Sequence, residues 1–366
     1  MRPWRDLYRR LVGPFPLAGH ERFIAALLAP VGWLYGCLAA VRVALYRCGL
    51  FTVYRAPVPV LSIGNLAIGG TGKTPAVDLV VKSIQARGYQ VAVVSRGYGG
   101  RGAPGGVGIV GAGAGPLLSP EICGDEPYLL ARRNPHAVVV VAPKRARGVR
   151  LAVEQLGAQV IVLDDGFQHL AVARDLDIVL LDGRRPLGNG RVLPAGLLRE
   201  NPAALARGHF FILTRCGDET PPLPTLPGPV LRSRHRLDTT AIALDGEKIP
   251  LAGLAGQRGV AFAGIADPEG FFADLRRIGL DLRRTVSLAD HAIYDPSTLA
   301  ELEAAAREAD FLITTEKDGV KLLDCKFPVP CYQVPMRLQV GEQEVLDRIL
   351  LATIEGEAHE PFPRTP

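Results

Sequence analysis

The stretch Ser62-Ile-Gly-Asn-Leu-Ala-Ile-Gly-Gly-Thr-Gly-Lys-Thr-Pro75 carries the clearest chemical signal in the chain. A glycine-rich turn between a strand and a helix can point its backbone N–H groups inward around a phosphate. Ala67, Ile68, Gly69, Gly70, Thr71 and Gly72 would form that cradle, Lys73 would reach the β- and γ-phosphates, and the Thr74 hydroxyl would suit Mg²⁺. The surroundings agree. An apolar run (Val58, Val60, Leu61, Ile63) precedes the turn, a helical apolar pattern (Ala76, Val77, Val80, Val81, Ile84) follows it, and Pro75 suits a first helical turn. One departure stands out: the strict G-x-x-x-x-G-K-[ST] pattern asks for glycine at position 67, where this chain has Ala67. A chance glycine turn would match the Gly-Lys-Thr core only by coincidence, so the loop reads as a nucleotide-phosphate site.

Further candidates lie downstream. Val160-Ile-Val-Leu-Asp-Asp165 is an apolar strand ending in two carboxylates, which repel unless a cation sits nearby. Such an acidic strand end is the usual second half of an ATP–Mg²⁺ site, against the plainer reading of an Asp/Gly turn. Gln168 and His169 continue it, and the role of His169 stays open between a packed histidine and a functional one. Asp125 and Glu126 begin a helix, where acids commonly cap, so capping is the simpler reading and catalysis the sharper one. Asp290-His291 lies in a loop of a later α/β segment, and a histidine arriving from across a domain cleft would tie chemistry to closure. Arg96, Lys144, Arg145, Arg184, Arg185, Arg191 and Arg199 exceed what one nucleotide needs, so some can receive anionic groups of a second substrate while the rest are solvated surface. Thr315-Glu-Lys-Asp-Gly-Val-Lys321 reads equally well as an exposed turn or a functional one.

The elements that must position these residues follow from length and periodicity. At 366 residues the chain exceeds one average core, and its 48% hydrophobic content excludes a disordered protein. Nearly all-apolar strands alternating with helices predict a mostly parallel sheet of the P-loop NTPase type over residues 51–230. Pro222, Pro224, Pro227 and Pro229, with Pro221 before them, then mark a connector. Residues 231–250 predict a hairpin linker around Asp245-Gly246, residues 251–355 a smaller α/β domain, and residues 356–366 a tail. The cleft between the two domains is the expected substrate site.

Residues 1–50 predict a hydrophobic helical arm. Residues 23–41 carry no charge, while Arg2, Arg5, Arg9, Arg10, Arg22, Arg42, Arg47 and Arg55 crowd the region around them. An uncharged run of this length with Trp33, Tyr35 and Tyr46 suits a membrane-embedded or interfacial anchor; a helical hairpin buried against the body is the alternative. The local excess of arginine points to an anionic surface, lipid or nucleic acid. The six cysteines form no C-x-x-C pair and read as reduced thiols.

These motifs in this order resemble the tetraacyldisaccharide 4′-kinase family, the lipid A 4′-kinases of Gram-negative bacteria. The resemblance covers nearly the whole chain. It rests on Gly64–Pro75, Ser95-Arg-Gly-Tyr-Gly-Gly100, Gly124-Asp-Glu-Pro127 and Asp164-Asp-Gly-Phe-Gln-His169, then on Gly188–Glu200, Asp290-His291 and Thr315-Glu-Lys-Asp318. It implies transfer of the ATP γ-phosphoryl group to the 4′-hydroxyl of a tetraacylated disaccharide 1-phosphate, giving lipid IVA. It further implies ATP and Mg²⁺ as cofactors, no nucleic-acid partner, and an anchor at the cytoplasmic face of the inner membrane. By the same resemblance Asp125 is the base, His291 its partner, and Lys73 a catalytic phosphate contact. Thr74, Asp164, Asp165 and Glu200 form the metal set, with Arg145 a basic site position. Arg96, Arg145, Gln168 and His169 complete the expected substrate-binding set. Asn201-Pro202 follows Arg199-Glu200 where many relatives have proline directly. The alternatives are a non-kinase P-loop NTPase coupled to a membrane partner and a phosphate-binding regulatory module.

Overall fold

The computed structural model describes residues 3–13, 18–217 and 222–356. Pro221 and all of the expected 356–366 tail except Gly356 lie outside them. The chain forms two compact units and passes between them four times: residues 1–96, 142–234 and 340–366 make the first, residues 97–141 and 235–339 the second. In the first unit lie α1 (Pro3–Val12), α2 (Gly19–Arg47), β1 (Val60–Asn65), α3 (Lys73–Gln85) and β2 (Val91–Ser95). The second unit receives β3 (Gly108–Ala112), α4 (Pro120–Cys123), α5 (Asp125–Arg133) and β4 (Val138–Val141). The chain then returns for α6 (Arg145–Glu154), β5 (Val160–Asp164), β6 (Leu176–Asp182), β7 (Phe210–Thr214) and the start of β8 (Val230–Leu237).

The rest of the second unit is β9 (Thr240–Ala243), β10 (Lys248–Pro250), β11 (Arg258–Ala263), α7 (Pro268–Arg277) and β12 (Asp281–Ser287), followed by α8 (Pro296–Ala306), β13 (Phe311–Thr315), α9 (Glu316–Gly319), β14 (Cys331–Val334) and most of β15 (Met336–Val340). Helix α10 (Gln343–Glu355) closes the chain in the first unit. This grouping corrects the expected linear division. Residues 97–141, expected inside the first domain, cluster with the later α/β segment, because β3, α5 and β4 make their compact contacts there.

In the first unit, strands run parallel in the order β8-β7-β6-β1-β5-β2. Every residue of β1, β2, β5 and β7 is buried, which is why these segments read as continuous apolar runs without alternation. In the second unit the order is β10-β9-β14-β13-β11-β12, parallel from β14 to β12 and antiparallel at β9 and β10. Alternation divides its core into two layers. Ala261, Ala263, Phe311 and Ile313 face Phe271, Phe272 and Leu275 of α7, whereas Val260, Phe262 and Leu312 face Leu302, Ala305 and Ala306 of α8. The Asp245-Gly246 hairpin forms as expected, but β9 also pairs with β14, so it is a sheet edge and not a linker.

Helix α2 has 29 residues and a hydrophobic window of mean hydropathy 1.9, of which 11% is buried. At 1.5 Å per residue it spans about 44 Å, more than the ~30 Å of a bilayer core. It docks through Gly32 and Gly36, one turn apart. A Cβ on Gly32 would lie 3.1 Å from the Ala195 Cβ, and one on Gly36 would lie 3.1 Å from the Asn201 side chain. Phe23, Leu27, Val31, Leu34, Leu38 and Val41 recur at three- and four-residue spacing and remain exposed. At its start Glu21 is buried, accepts from the Ala18 N–H at 2.7 Å and pairs with Arg10 of α1 at 2.8 Å.

Candidate active site

In the first unit, β1 ends at buried Asn65, whose side-chain amide donates to the Ala67 carbonyl (2.6 Å) and to Thr71 Oγ1 (2.8 Å). The far side of the loop is tied to a neighbouring segment: the Ile68 N–H donates to the Leu197 carbonyl (2.8 Å), and Ala67 bridges Leu198. That bridge holds Ala67 in extended backbone, which explains why the glycine of the strict pattern is dispensable there. Gly69 (φ 117°) and Gly72 (φ 80°) take the left-handed conformations that the turn requires. Gly72 is the N-cap of α3, so Lys73 and Thr74 open the helix where its unpaired N–H groups favour an anion. Lys73 Nζ lies 3.4 Å from Asn65 Oδ1 and 3.5 Å from Asp165.

The paired carboxylates occupy different environments. Asp164, at the end of β5, is buried and accepts from Ser95 Oγ at 2.9 Å. Asp165 turns out of the strand at φ 50°, an uncommon conformation for a non-glycine residue, and meets Arg199 at 2.7 Å as well as Lys73. Burial would raise the Asp165 carboxyl pKa, but Lys73, Arg199 and Arg145 together hold it below the ordinary value. Arg145 is buried behind the pair and donates to the Asp164 carbonyl at 3.1 Å. Burial, reinforced by Arg96, lowers its pKa to about 10 against the pull of both aspartates. Gln168 donates to the Asn65 carbonyl (2.9 Å) and accepts from Arg199 (3.3 Å), while its own carbonyl accepts from Arg42 of α2. His169 is pushed down to about 4 by burial and by Arg145, Arg42, Arg174 and Arg96, so its ring is neutral at pH 7. Arg96 is exposed.

Glu200, also expected in the metal set, has a cationic partner of its own. It is buried and paired with Arg207 at 2.8 Å, and the Arg207 guanidinium lies 4.8 Å from the centre of the buried Phe167 ring. Phe167 in turn needs Gly64, because a Cβ there would come within 2.7 Å of the Phe167 Cβ. Glu200 thus braces the loop after β5. Among the described residues, no group of three or more His, Cys, Asp and Glu side chains is arranged to hold a metal ion.

The second unit holds the other cluster. Asp125 is the first residue of α5, and its Oδ1 accepts from the Glu126 N–H at 3.0 Å. Its Oδ2 faces His291 Nδ1 and Lys321 Nζ, each at 3.3 Å. One carboxylate therefore satisfies both readings of the sequence, with one oxygen on its own helix end and the other on the histidine. Burial would raise its pKa, but the hydrogen bond from His291 and the charges of Lys317 and Lys321 hold it at about 2. His291 and Asp125 belong to the same unit, which corrects the expectation that the histidine arrives from another domain. His291 sits at φ 57°, and the exposed Tyr98 ring meets its imidazole edge-on at 5.6 Å.

The segment Thr315–Asp318 builds the back of this cluster. Thr315 caps α9 by accepting from the Asp318 N–H, and Glu316 pairs with Arg133 of α5. Lys317 reaches Glu126 (3.2 Å), Asp290 (3.4 Å) and His291 Nε2 (3.1 Å). Buried Asp318 accepts from the Gly264 N–H (2.9 Å), and the Gly264 carbonyl accepts from the His291 N–H (3.2 Å). Lys317 touches His291 directly and Asp318 reaches it through the Gly264 backbone, while Thr315, Glu316 and Asp318 are buried, so the segment is no exposed turn.

The family of tetraacyldisaccharide-1-P 4′-kinases (LpxK) matches residues 24–355. The chain belongs to that family. It is 54% identical over 351 residues to the tetraacyldisaccharide 4′-kinase of Syntrophotalea carbinolica, covering 96% of this chain and 98% of the relative. Identity to the Geobacter sulfurreducens tetraacyldisaccharide 4′-kinase is 47% over 315 residues, 86% of this chain and 89% of that one. The crystal structure of Aquifex aeolicus LpxK in complex with ATP superposes with a TM-score of 0.78 at 31% identity, covering 90% of this chain and 99% of the other. Sequence reasoning did not foresee the exposed Tyr98 beside the pair, nor that Glu126 meets Lys317, Lys321 meets Asp125 and Arg199 meets Asp165. The mixed charges after β13 were the available signal, but no spacing rule brings Lys317 and Lys321 to Asp125 from almost two hundred residues away.

Proposed function

We propose that this LpxK family member transfers the ATP γ-phosphoryl group to the 4′-hydroxyl of tetraacyldisaccharide 1-phosphate, forming lipid IVA. The observation that carries the chemistry is the Asp125–His291 pair, a carboxylate oxygen 3.3 Å from an imidazole nitrogen, in a chain whose glycine turn opens α3 with Lys73 and Thr74. The loop N–H groups and Lys73 take up phosphate charge, and Asp125 accepts the proton of the attacking hydroxyl with His291 holding its orientation. A carboxylate held at about 2 is a weak base, which suits a reaction where the phosphoryl group has largely left its donor before the hydroxyl must lose its proton.

Thr74, Asp164 and Asp165 supply the hard oxygen donors that Mg²⁺ prefers, and one or two carboxylates plus phosphate oxygens suffice for that ion. Bound with ATP there, Mg²⁺ would neutralise phosphate charge. Glu200, paired with Arg207, acts as a brace. Arg96, Arg145, Gln168 and His169 serve the anionic acceptor. The exposed apolar stripe of α2, with Trp33 and Tyr35 beside it, inserts into the cytoplasmic face of the inner membrane.

Incubating the purified chain with γ-labelled ATP, Mg²⁺ and acyl-disaccharide 1-phosphate in detergent tests this reading. Label should appear in the lipid; phosphate release indifferent to lipid would replace the kinase with an NTPase. Deleting residues 1–50 should release the protein from vesicles, and a truncated chain that still sediments with them would remove the anchor role.

A further inference from the structure

His291 lies between a carboxylate and an ammonium. The ring nitrogens face different partners. Nδ1 lies 3.3 Å from the Asp125 carboxylate, whereas Nε2 lies 3.1 Å from the Lys317 ammonium and 4.0 Å from Asp290. An ammonium has three N–H donors and no acceptor, so the nitrogen it approaches must offer a lone pair. Burial lowers the Lys317 pKa, but Glu126, Asp290 and Asp125 outweigh it and raise the net value, which keeps the group charged. We propose that Lys317 is a positioning residue whose ammonium, donating to Nε2, locks His291 as the neutral Nδ1–H tautomer that donates to Asp125.

The charges around the ring favour this arrangement over the other two. The groups facing the imidazole are Asp125 from α5, Asp290 from its own loop, Lys317 from α9 and the Tyr98 ring; Glu126 touches Lys317, and Lys321 touches Asp125. With the proton on Nε2, two N–H donors would oppose each other at 3.1 Å, and Nδ1 would turn a lone pair toward the Asp125 carboxylate. With both nitrogens protonated, the ring would carry its charge against the Lys317 ammonium. The carboxylates of Glu126 and Asp290, at 3.2 and 3.4 Å, fix the ammonium in place. Thr315 and Asp318 fix the helix turn that carries it and, through Gly264, the backbone of His291. The lysine thus controls which nitrogen carries the proton, a role distinct from contact with either substrate.

The inference extends the reading of Asp125 and His291 as an acid–base pair, but its test does not depend on that reading. The full chain, labelled with ¹⁵N-histidine in detergent and with His291 assigned through His291→Gln, reports the tautomer by its ring ¹⁵N shifts at pH 7. We expect a protonated Nδ1 and an unprotonated Nε2 in the wild type. In Lys317→Met, Nε2 should become protonated, since only carboxylate faces it, and kcat should fall about 10-fold with the KM for ATP unchanged. Lys317→Arg, also a pure donor, should restore the wild-type spectrum and most of kcat. A protonated Nε2 in the wild type, or an unchanged spectrum in Lys317→Met, overturns the proposal. If the tautomer responds as expected while His291→Gln retains full kcat, the acid–base reading fails and the lock stands.

Discussion

In the first unit the residues proposed to hold phosphate lie within a single strand-to-helix turn, Asn65 to Thr74, where backbone amides would do most of the holding. In the second unit the residues around Asp125 come from α5, the loop at 290–291 and the segment 317–321, and they hold one another through side-chain charge. The cradle's geometry follows from two left-handed glycines and a helix end, so it tolerates Ala67 where the strict pattern has glycine. The charged cluster has no such local origin. Its geometry exists only once β11, β13 and α5 have assembled, and each charge depends on its neighbours. A local cradle suits a donor common to many enzymes, and a cluster assembled over long distances suits chemistry particular to one acceptor.

Lys73→Ala should give the largest effect, since it removes the one mobile charge of the cradle: phosphoryl transfer should fall about 10³-fold. The Asp125–His291 cluster should remain intact, visible as an unchanged His291 ring spectrum, whereas a perturbed spectrum would show the two regions to be coupled. Next in size, Arg207→Ala leaves the buried Glu200 carboxylate without its partner and should cost about 3 kcal/mol in urea unfolding. Replacing both Glu200 and Arg207 by leucine should recover part of that loss; no recovery would remove the ion pair from the account.

The smallest effect is the pH dependence of stability. The Asp125 carboxyl is lowered from 3.8 to about 2 in the folded chain, so its charge stabilises the fold above pH 4. That contribution, about 2 kcal/mol, is lost as the pH falls from about 4 to 2. Unfolding measured at pH 6 and pH 3 should therefore show a steeper acid loss in the wild type than in Asp125→Asn. Equal losses would mean that Lys317, Lys321 and His291 do not hold the charge as described.

The same contrast governs what the sequence made legible. The glycine turn, the acidic strand end and the parallel sheet were readable because contiguous motifs and wholly apolar strands encode them; the strand expected to end in Asp164-Asp165 forms as β5. Strand β3 was not foreseen, because glycines interrupt its short apolar run. Strands β12 and β14 were not foreseen, because Asp281–Ser287 is mostly exposed and Cys331–Val334 is short. The grouping of residues 97–141 with the later sheet, and hence of Asp125 with His291, arises from packing between distant segments, for which local periodicity holds no signal. The partner of Glu200 was hidden for a related reason: its acidity was visible, but not the Arg207 that pairs with it.

The central claim is that donor holding and hydroxyl deprotonation reside in separately built clusters. It is tested most directly by measuring, on Asp125→Asn, both ATP affinity and transfer of γ-label to acyl-disaccharide 1-phosphate. Transfer should fall by at least about 10²-fold while the Kd for ATP stays within about two-fold of the wild type. Near-normal transfer, or loss of ATP binding in step with activity, would contradict it.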